Sequence, residues 1–463
     1  MTDSPSSHRP WYQRIGPGLI TACVVIGPGS IMTSSSVGAN EGYSRLWIVL
    51  VSVTFMLVYM TLGAKLGAVA KTSPGNLIRQ KAGSWLAILV GCCVFFISAA
   101  FQSGNNIGVA AAFEAFIDPE TIEIAFDGFI DSKTIVACVV VAFNLLAISF
   151  LFVFQNLYRV LERLMMFFVG LMLISFAINL VALQPNVIDL LKGFIPSLGT
   201  TDSSTTSQDA LDRLIAVLGL VGTTFVITAA FYQAYLVRQK GWSQSEVRNG
   251  ILDARVGAVI MTLITVMLMS TAAAGLYTGS TVKLDDPVQV AEALETTFGT
   301  FGKVIFCLGL FSAAFSSFLI NSMIGGFIVS DCLGMGSEPT DRAPRVMTTI
   351  ALLTGMSIAL AALILDFDRT PTIIAAQAVT VVGAPLVAGV LLWLSSSKDV
   401  MGSFAAGWFT KICAGIGLLL LLAMTGNSAI NTIPAKIEQY LDPKPAAATA
   451  DPATRPNSAP VAD

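Results

Sequence analysis

Eleven apolar stretches, most of them 20 residues or longer, leave this chain few choices of fold. They lie near 15–38, 46–69, 84–112, 133–155, 163–184, 211–237, 250–276, 302–330, 344–366, 371–394 and 405–425. A helix of about 20 residues covers the ~30 Å of bilayer hydrocarbon. In lipid every backbone polar group must be satisfied inside the segment, which leaves helices as the way for such stretches to cross. The chain is therefore read as an all-α integral membrane protein of about eleven transmembrane helices, with the lipid bilayer as its first partner. Its charge content agrees: Asp, Glu, Lys and Arg make up 12% of 463 residues, against ~25% in ordinary soluble domains.

The positive residues set an expected orientation. With the N-terminus in the cytoplasm, 16 of the 26 Lys and Arg fall on cytoplasmic segments, from Arg9 and Arg14 to Lys398 and Lys411. Seven fall outside, among them Arg45, Lys192 and Arg213. That bias is the positive-inside pattern, and an odd number of spans then puts the C-terminus outside. The expected setting is a bacterial plasma membrane. Met1 to Arg14 reads as a cytoplasmic tail and not as a cleavable signal, because the apolar segment after it is too long. Residues 435–463, rich in Pro and Ala, read as a disordered tail.

Several function classes drop out. The one histidine, His8, lies in the N-terminal tail, which removes Ser-His-Asp catalysis and histidine proton relays. Seven cysteines, with no CxxC spacing, read as packing thiols. A net charge of −3 gives no attraction to nucleic acid. No catalytic constellation, and hence no enzyme or cofactor, is indicated.

The first and sixth spans carry the informative irregularities. Gly27-Pro28-Gly29-Ser30 interrupts the first span halfway across. Proline removes a backbone donor and glycine lowers helix propensity, so a helix break is expected at Gly27, Pro28 and Gly29. Five spans later there is no proline, only a polar run of Gly222, Thr223 and Thr224, with Thr228, Tyr232 and Gln233 after it. Paired discontinuities at matching places in two halves point to an inverted-repeat transporter with its site near the midplane. Glycine and proline kinks are also common in transmembrane helices without any such role. On the third span Gln102, Asn105 and Asn106 share one helix face. Hydrogen bonding between helices is the commoner use of such residues; a place on a permeation path is the alternative.

These residues carry a family resemblance. Gly16-Pro17-Gly18-Leu19-Ile20, then Gly27-Pro28-Gly29-Ser30, then Gly42-Tyr43-Ser44-Arg45-Leu46-Trp47 resemble the first helix and exit loop of the NRAMP divalent-metal transporters. Gly222-Thr223-Thr224 with Phe231-Tyr232-Gln233 resembles the sixth helix of that family. Gly309 to Ala314 with Ser316 and Ser317 resembles the eighth, and Gln377 with Pro385 the tenth. The resemblance implies a LeuT-like fold of two inverted five-helix repeats plus one helix. The expected layout is a tail at 1–14, a first repeat at 15–184, an extracytoplasmic loop at 185–210, a second repeat at 211–396, and span 11 with its flanks at 397–434. It also implies a secondary transporter that moves divalent metal cations.

Compared with the family pattern, this chain is uncharged where the ligands should be. The metal-binding aspartate of the first helix falls on Gly27 and the asparagine on Ser30. The sulfur ligand of the sixth helix falls on Val226, and the proline and histidine after it on Ile227 and Thr228. The acidic proton-path positions of the third helix fall on Gln102 and Asn105, and the downstream histidine of the sixth on Gln233. Only Gln377 keeps its type. The substrate site implied is then Gly27, Ser30, Thr224, Val226, Thr228 and Gln377, with Gln102, Asn105, Tyr232 and Gln233 as polar residues of the path. Burying a bare dication among neutral groups costs several kcal/mol at least. The expected cargo is accordingly a divalent metal kept hydrated, or else another small ion or neutral polar solute on the same fold. With no titratable group in the path, coupling to protons is not expected.

Overall fold

A computed structural model describes residues 16–116, 131–154, 156–196, 207–279, 287–365 and 383–432, together with Ile124, Val282 and Leu284. Gln377, the first part of the tenth expected span and the tail at 435–463 lie outside the described residues. Every regular element among the described residues is helical. The order is α1 (Pro17–Val25), α2 (Pro28–Glu41), α3 (Leu46–Val69), α4 (Pro74–Ala82), α5 (Ser84–Phe116), α6 (Ser132–Val153), α7 (Leu157–Ala182) and α8 (Val187–Lys192). There follow α9 (Ser207–Thr224), α10 (Ile227–Gln239), α11 (Val247–Leu276), α12 (Pro287–Leu333), α13 (Arg342–Ile364), α14 (Ala384–Ser396) and α15 (Trp408–Asn427), besides short turns.

Nine segments among the described residues are long and apolar enough to cross a membrane, and the bent pair α1–α2 makes a tenth. Of the span expected at 371–394, only the helix Ala384–Ser396 falls in the described part. The perimeter helices turn large apolar side chains outward: Leu145 on α6, Phe167 on α7, Ile358 on α13 and Leu419 on α15 are all exposed. Such a belt would be costly in water and is stable against lipid tails.

The first and sixth spans sit inside this perimeter and are buried almost throughout. Two devices bring their neighbours close. On α3, Gly63 and Gly67 lie one turn apart and meet the backbone of α10. A methyl group added at Gly63 would run into the Ala230 carbonyl oxygen, and one at Gly67 into that of Ala234. This is small-residue packing as membrane helices use it, where approach of backbones replaces a hydrophobic drive. In the same way Gly18 of α1 and Gly257 of α11 let their helices cross backbone to backbone. α12, the longest helix, runs along α5 and braces α1 from behind.

Candidate transport site at two broken helices

The first span breaks where the proline stands. α1 ends at Val25, Ile26 and Gly27 are not helical, and Pro28 and Gly29 already form the first turn of α2, so the two halves meet at 56°. Gly27 is extended, with φ −114° and ψ −179°, a conformation open to any residue. Its lack of a side chain serves close approach instead: a methyl group there would lie 2.7 Å from Ser317 Oγ and 3.3 Å from Asn105 Oδ1. Ser317 of α12 thus crowds the space that the Cβ of any larger residue at position 27 would enter.

The sixth span is also broken, and without a proline. α9 runs on through Thr224, α10 starts at Ile227, and Phe225 and Val226 lie between them, Val226 with φ −80° and ψ 87°. The Val226 carbonyl accepts from Ala229 N (3.1 Å) and Ala230 N (3.2 Å), which caps the start of α10. The halves are paired crosswise. Thr33 of α2 and Thr223 of α9 share a hydrogen bond at 3.1 Å between their hydroxyls, and Thr21 of α1 donates to Gln233 Oε1 of α10.

At these two breaks the hydroxyls of Ser30, Ser34, Thr224 and Thr228 are buried, and none has a hydrogen-bond partner. Buried polar side chains are paired in the large majority of cases. These four hydroxyls are free to meet a polar ligand, and so are other unpaired buried hydroxyls such as Ser270 of α11 and Ser395 of α14. The four stand out by their place at or next to the two breaks. Val226 is buried at the break itself. Tyr232 is buried farther along α10 and stacks on Tyr235, centroids 5.8 Å apart.

The amides of the third span form a string. Asn105 Nδ2 donates to Gln102 Oε1 (3.2 Å), Asn106 Nδ2 to the Gln102 carbonyl (2.8 Å), and Asn144 Nδ2 of α6 to Asn106 Oδ1 (2.6 Å). Gln102 also packs on Gly355 of α13, while Asn105 faces Gly27. One helix face thus contains both a residue bonded to its neighbours and a residue at the break.

Two buried carboxylates tie the site's helices to their neighbours away from the breaks, and the sequence marked neither for that role. Asp253 reads from the sequence as an interfacial residue near the start of the seventh span; in the structure it is fully buried. It accepts from Gly16 N at 2.7 Å, Gly18 N at 2.5 Å and Gln233 Nε2 at 3.3 Å, and so ties the start of α1 to α10 and α11. Those amides are the unsatisfied donors of a helix start and attract a carboxylate for that reason. An ion pair between Lys240 and Glu162, 2.5 Å, lies beside Gly16. Asp331, one residue beyond the eighth expected span, accepts from Ser73 Oγ (2.6 Å), Gly75 N (2.7 Å) and Tyr235 OH (2.7 Å), and so holds α4 to α10. Their partners lie far away in sequence, so no local motif marked them. At the opposite end Glu41 of α2 meets Arg45 at 3.2 Å and Arg213 of α9 at 3.5 Å. Among the described residues no group of three or more His, Cys, Asp or Glu is placed to hold a metal.

Two broken spans crossed inside a ring of intact ones define the class: a polytopic membrane protein of LeuT-like fold. The comparisons agree. The chain matches, over 96% of its length and 91% of the other, the crystal structure of the Eremococcus coleocola manganese transporter with a bound aromatic bis-isothiourea compound, at TM-score 0.74 and 19% identity. It matches MhsT in complex with L-phenylalanine at TM-score 0.57 and 14% identity, over 89% of this chain and 98% of that one. The family model described as natural resistance-associated macrophage protein-like covers residues 18–431, and the chain belongs to this Nramp family. Among curated relatives, the divalent metal cation transporter MntH of Pectobacterium carotovorum is 23% identical over 438 residues, 93% of this chain and 97% of that protein.

Proposed function

We propose that the chain is a secondary transporter that moves a divalent metal cation by alternating access, carrying it partly hydrated through a site of neutral oxygens. The observation that carries this reading is the pair of facing helix breaks with the unpaired hydroxyls of Ser30, Thr224 and Thr228. Neutral oxygens suit a hard cation that keeps its water, while a bare dication would need charge to offset its dehydration. The names of relatives such as the MntH proteins support a metal as cargo. Ser30, Thr224 and Thr228 act with Gln377 as the contacts, Gly27 and Val226 supply backbone at the breaks, and Gln102, Asn105, Tyr232 and Gln233 border the path. The chain acts as a carrier and not as a catalyst. Its N-terminus lies in the cytoplasm of a bacterial cell and its C-terminus outside, with repeats at 15–184 and 211–396.

Alternating access needs ends that open in turn. The tie from Asp253 to Gly16 and Gly18 closes the cytoplasmic end, and Glu41 with Arg213 closes the outer one. A second reading rests on the same hydroxyls, which are equally suited to an uncharged polar solute. The test is uptake into proteoliposomes of a panel of divalent metals, with and without a pH gradient. Saturable uptake of at least one metal supports the first reading. No uptake of any, together with binding of a neutral solute, would sink it in favour of the second.

A further inference from the structure

Around the start of α1 the lipid-facing surface is basic, and its charges are unmatched. Tyr158 of α7 and Asp253 of α11 both reach Gly16, so these two helices begin beside one another there, and they pack together. Each turns a stripe outward. On α7 it runs from Arg159 and Arg163 to Phe167; on α11 it runs Arg248, Leu252, Arg255 and Val259. Steps of three and four keep each set on a single helix face. The four arginines have no hydrogen-bond or ion-pair partner among the described residues. Others at the same end are used: Arg79, Arg238 and Arg345 each donate to a backbone carbonyl. Nor do the acids of this corner answer them. Glu162 is taken by Lys240, Asp253 by the amides of Gly16 and Gly18, and Glu246 by Ser243 N. Arg255 is the most constrained. Leu252 and Val259, one turn to either side of it on the stripe, are both exposed, so the apolar belt begins before it is reached. It stands about 12 Å into α11, and Arg163 about 9 Å into α7. A guanidinium on the lipid side of a span is costly unless its stem carries it to the interface and an anion meets it there.

We infer that Arg159, Arg163, Arg248 and Arg255 bind the headgroup phosphate of an anionic phospholipid, whose acyl chains lie along the apolar remainder of the two stripes. Three arguments select this partner. First, a guanidinium is planar and meets phosphate oxygens in pairs, which a lysine ammonium does not. Second, the charge continues directly into exposed apolar side chains, which a lipid covers and a soluble phosphate leaves bare. Third, four positive groups with no acid facing them favour a headgroup of net negative charge; a zwitterionic one brings its own cation into the same corner. Basic pockets between helices at a membrane surface hold anionic headgroups in this way. With the N-terminus inside, the leaflet concerned is the cytoplasmic one. Occupancy bears on the transporter, because the same two helices carry the groups that clasp the start of α1. A lipid held by both steadies that end. The inference rests on the membrane architecture and does not depend on what the cargo is.

The experiment follows the unfolding temperature of the purified, delipidated full chain in detergent as phosphatidylglycerol, phosphatidylcholine or inorganic phosphate is added. A ligand that binds the native state raises that temperature saturably. Phosphatidylglycerol should do so, and the other two should not. Arg163→Gln with Arg255→Gln should raise the half-saturating mole fraction at least tenfold. Lys398→Gln with Lys411→Gln removes the same charge from two other exposed positions at this end and should leave it within twofold. If the first pair does not fold, Arg159→Gln with Arg248→Gln decides in its place. Superposed curves for the two lipids, or an arginine variant equal to the parent, would overturn the site. A lysine variant as weak as the arginine one would also overturn it, showing only general attraction to a positive surface, and an equal shift with inorganic phosphate would reduce it to an anion site without lipid. Metal uptake is not part of this readout, so the transport reading stands or falls separately.

Discussion

Restoring charge at the first break tests the argument from missing ligands, and the structure says how it must be done. A carboxylate about 4 Å from a dication at an effective dielectric of about 20 attracts it by about 8 kcal/mol, twice the value for two unit charges. Burying the carboxylate returns several kcal/mol of that. A net gain near 3 kcal/mol corresponds to about a hundredfold in Kd. Gly27→Asp alone cannot realise it, since its Cβ would lie 2.7 Å from Ser317 Oγ and 3.0 Å from Ser317 Cβ. Overpacking of that kind costs about 1–3 kcal/mol of stability, and relieving it moves the new carboxylate out of ligating position, which forfeits most of the gain. Ser317→Gly removes both clashing atoms. The expected order of Mn²⁺ affinity by titration calorimetry is therefore parent, then Gly27→Asp, then Gly27→Asp with Ser317→Gly, the last about a hundredfold above the parent. Adding Ser30→Asn supplies an amide oxygen and strengthens binding further. A parent that already binds Mn²⁺ as tightly as the double variant would refute the reasoning, and so would a single variant equal to the double.

Asp253→Asn replaces one accepting oxygen with an N–H donor facing the amide of Gly16 or Gly18, at a cost of about 2 kcal/mol. Backbone hydrogen exchange over residues 16–25 should then speed up at least tenfold, and unchanged protection would show that the carboxylate does not hold α1. Gly63→Ala drives a methyl group against the Ala230 carbonyl and should cost at least about 2 kcal/mol. Gly389→Ala, which meets nothing within 4 Å, should be neutral or stabilise by up to about 1 kcal/mol. Equal unfolding temperatures for the two variants would contradict the close packing of α3 on α10. Metal uptake into proteoliposomes should be the same with and without a pH gradient. Interior acidification that tracks uptake would contradict this and make Asp253, the buried carboxylate at the start of α1, the group to test as a relay.

Hydropathy and proline chemistry are local, and what depends on them was legible in the chain. A 20-residue apolar stretch must satisfy its backbone within itself whatever packs beside it, so the helical membrane architecture followed from composition and length. Pro28 removes the donor for Val24 in any environment, so the first break could be placed from four residues. The sixth break could be expected only from its polar neighbours. Those neighbours did not end the helix: Gly222, Thr223 and Thr224 stay helical, and the interruption falls on the apolar pair Phe225 and Val226. Its location is a matter of how α9 and α10 cross α2 and α1, through Thr33 with Thr223 and Thr21 with Gln233. Asp253 shows the same division. Its charge and its place near a span end were plain, but the amides it accepts from stand 237 and 235 residues away. Whether a carboxylate is a solvated end group or a buried clasp depends on what the fold brings to it, and only the tertiary structure decided that.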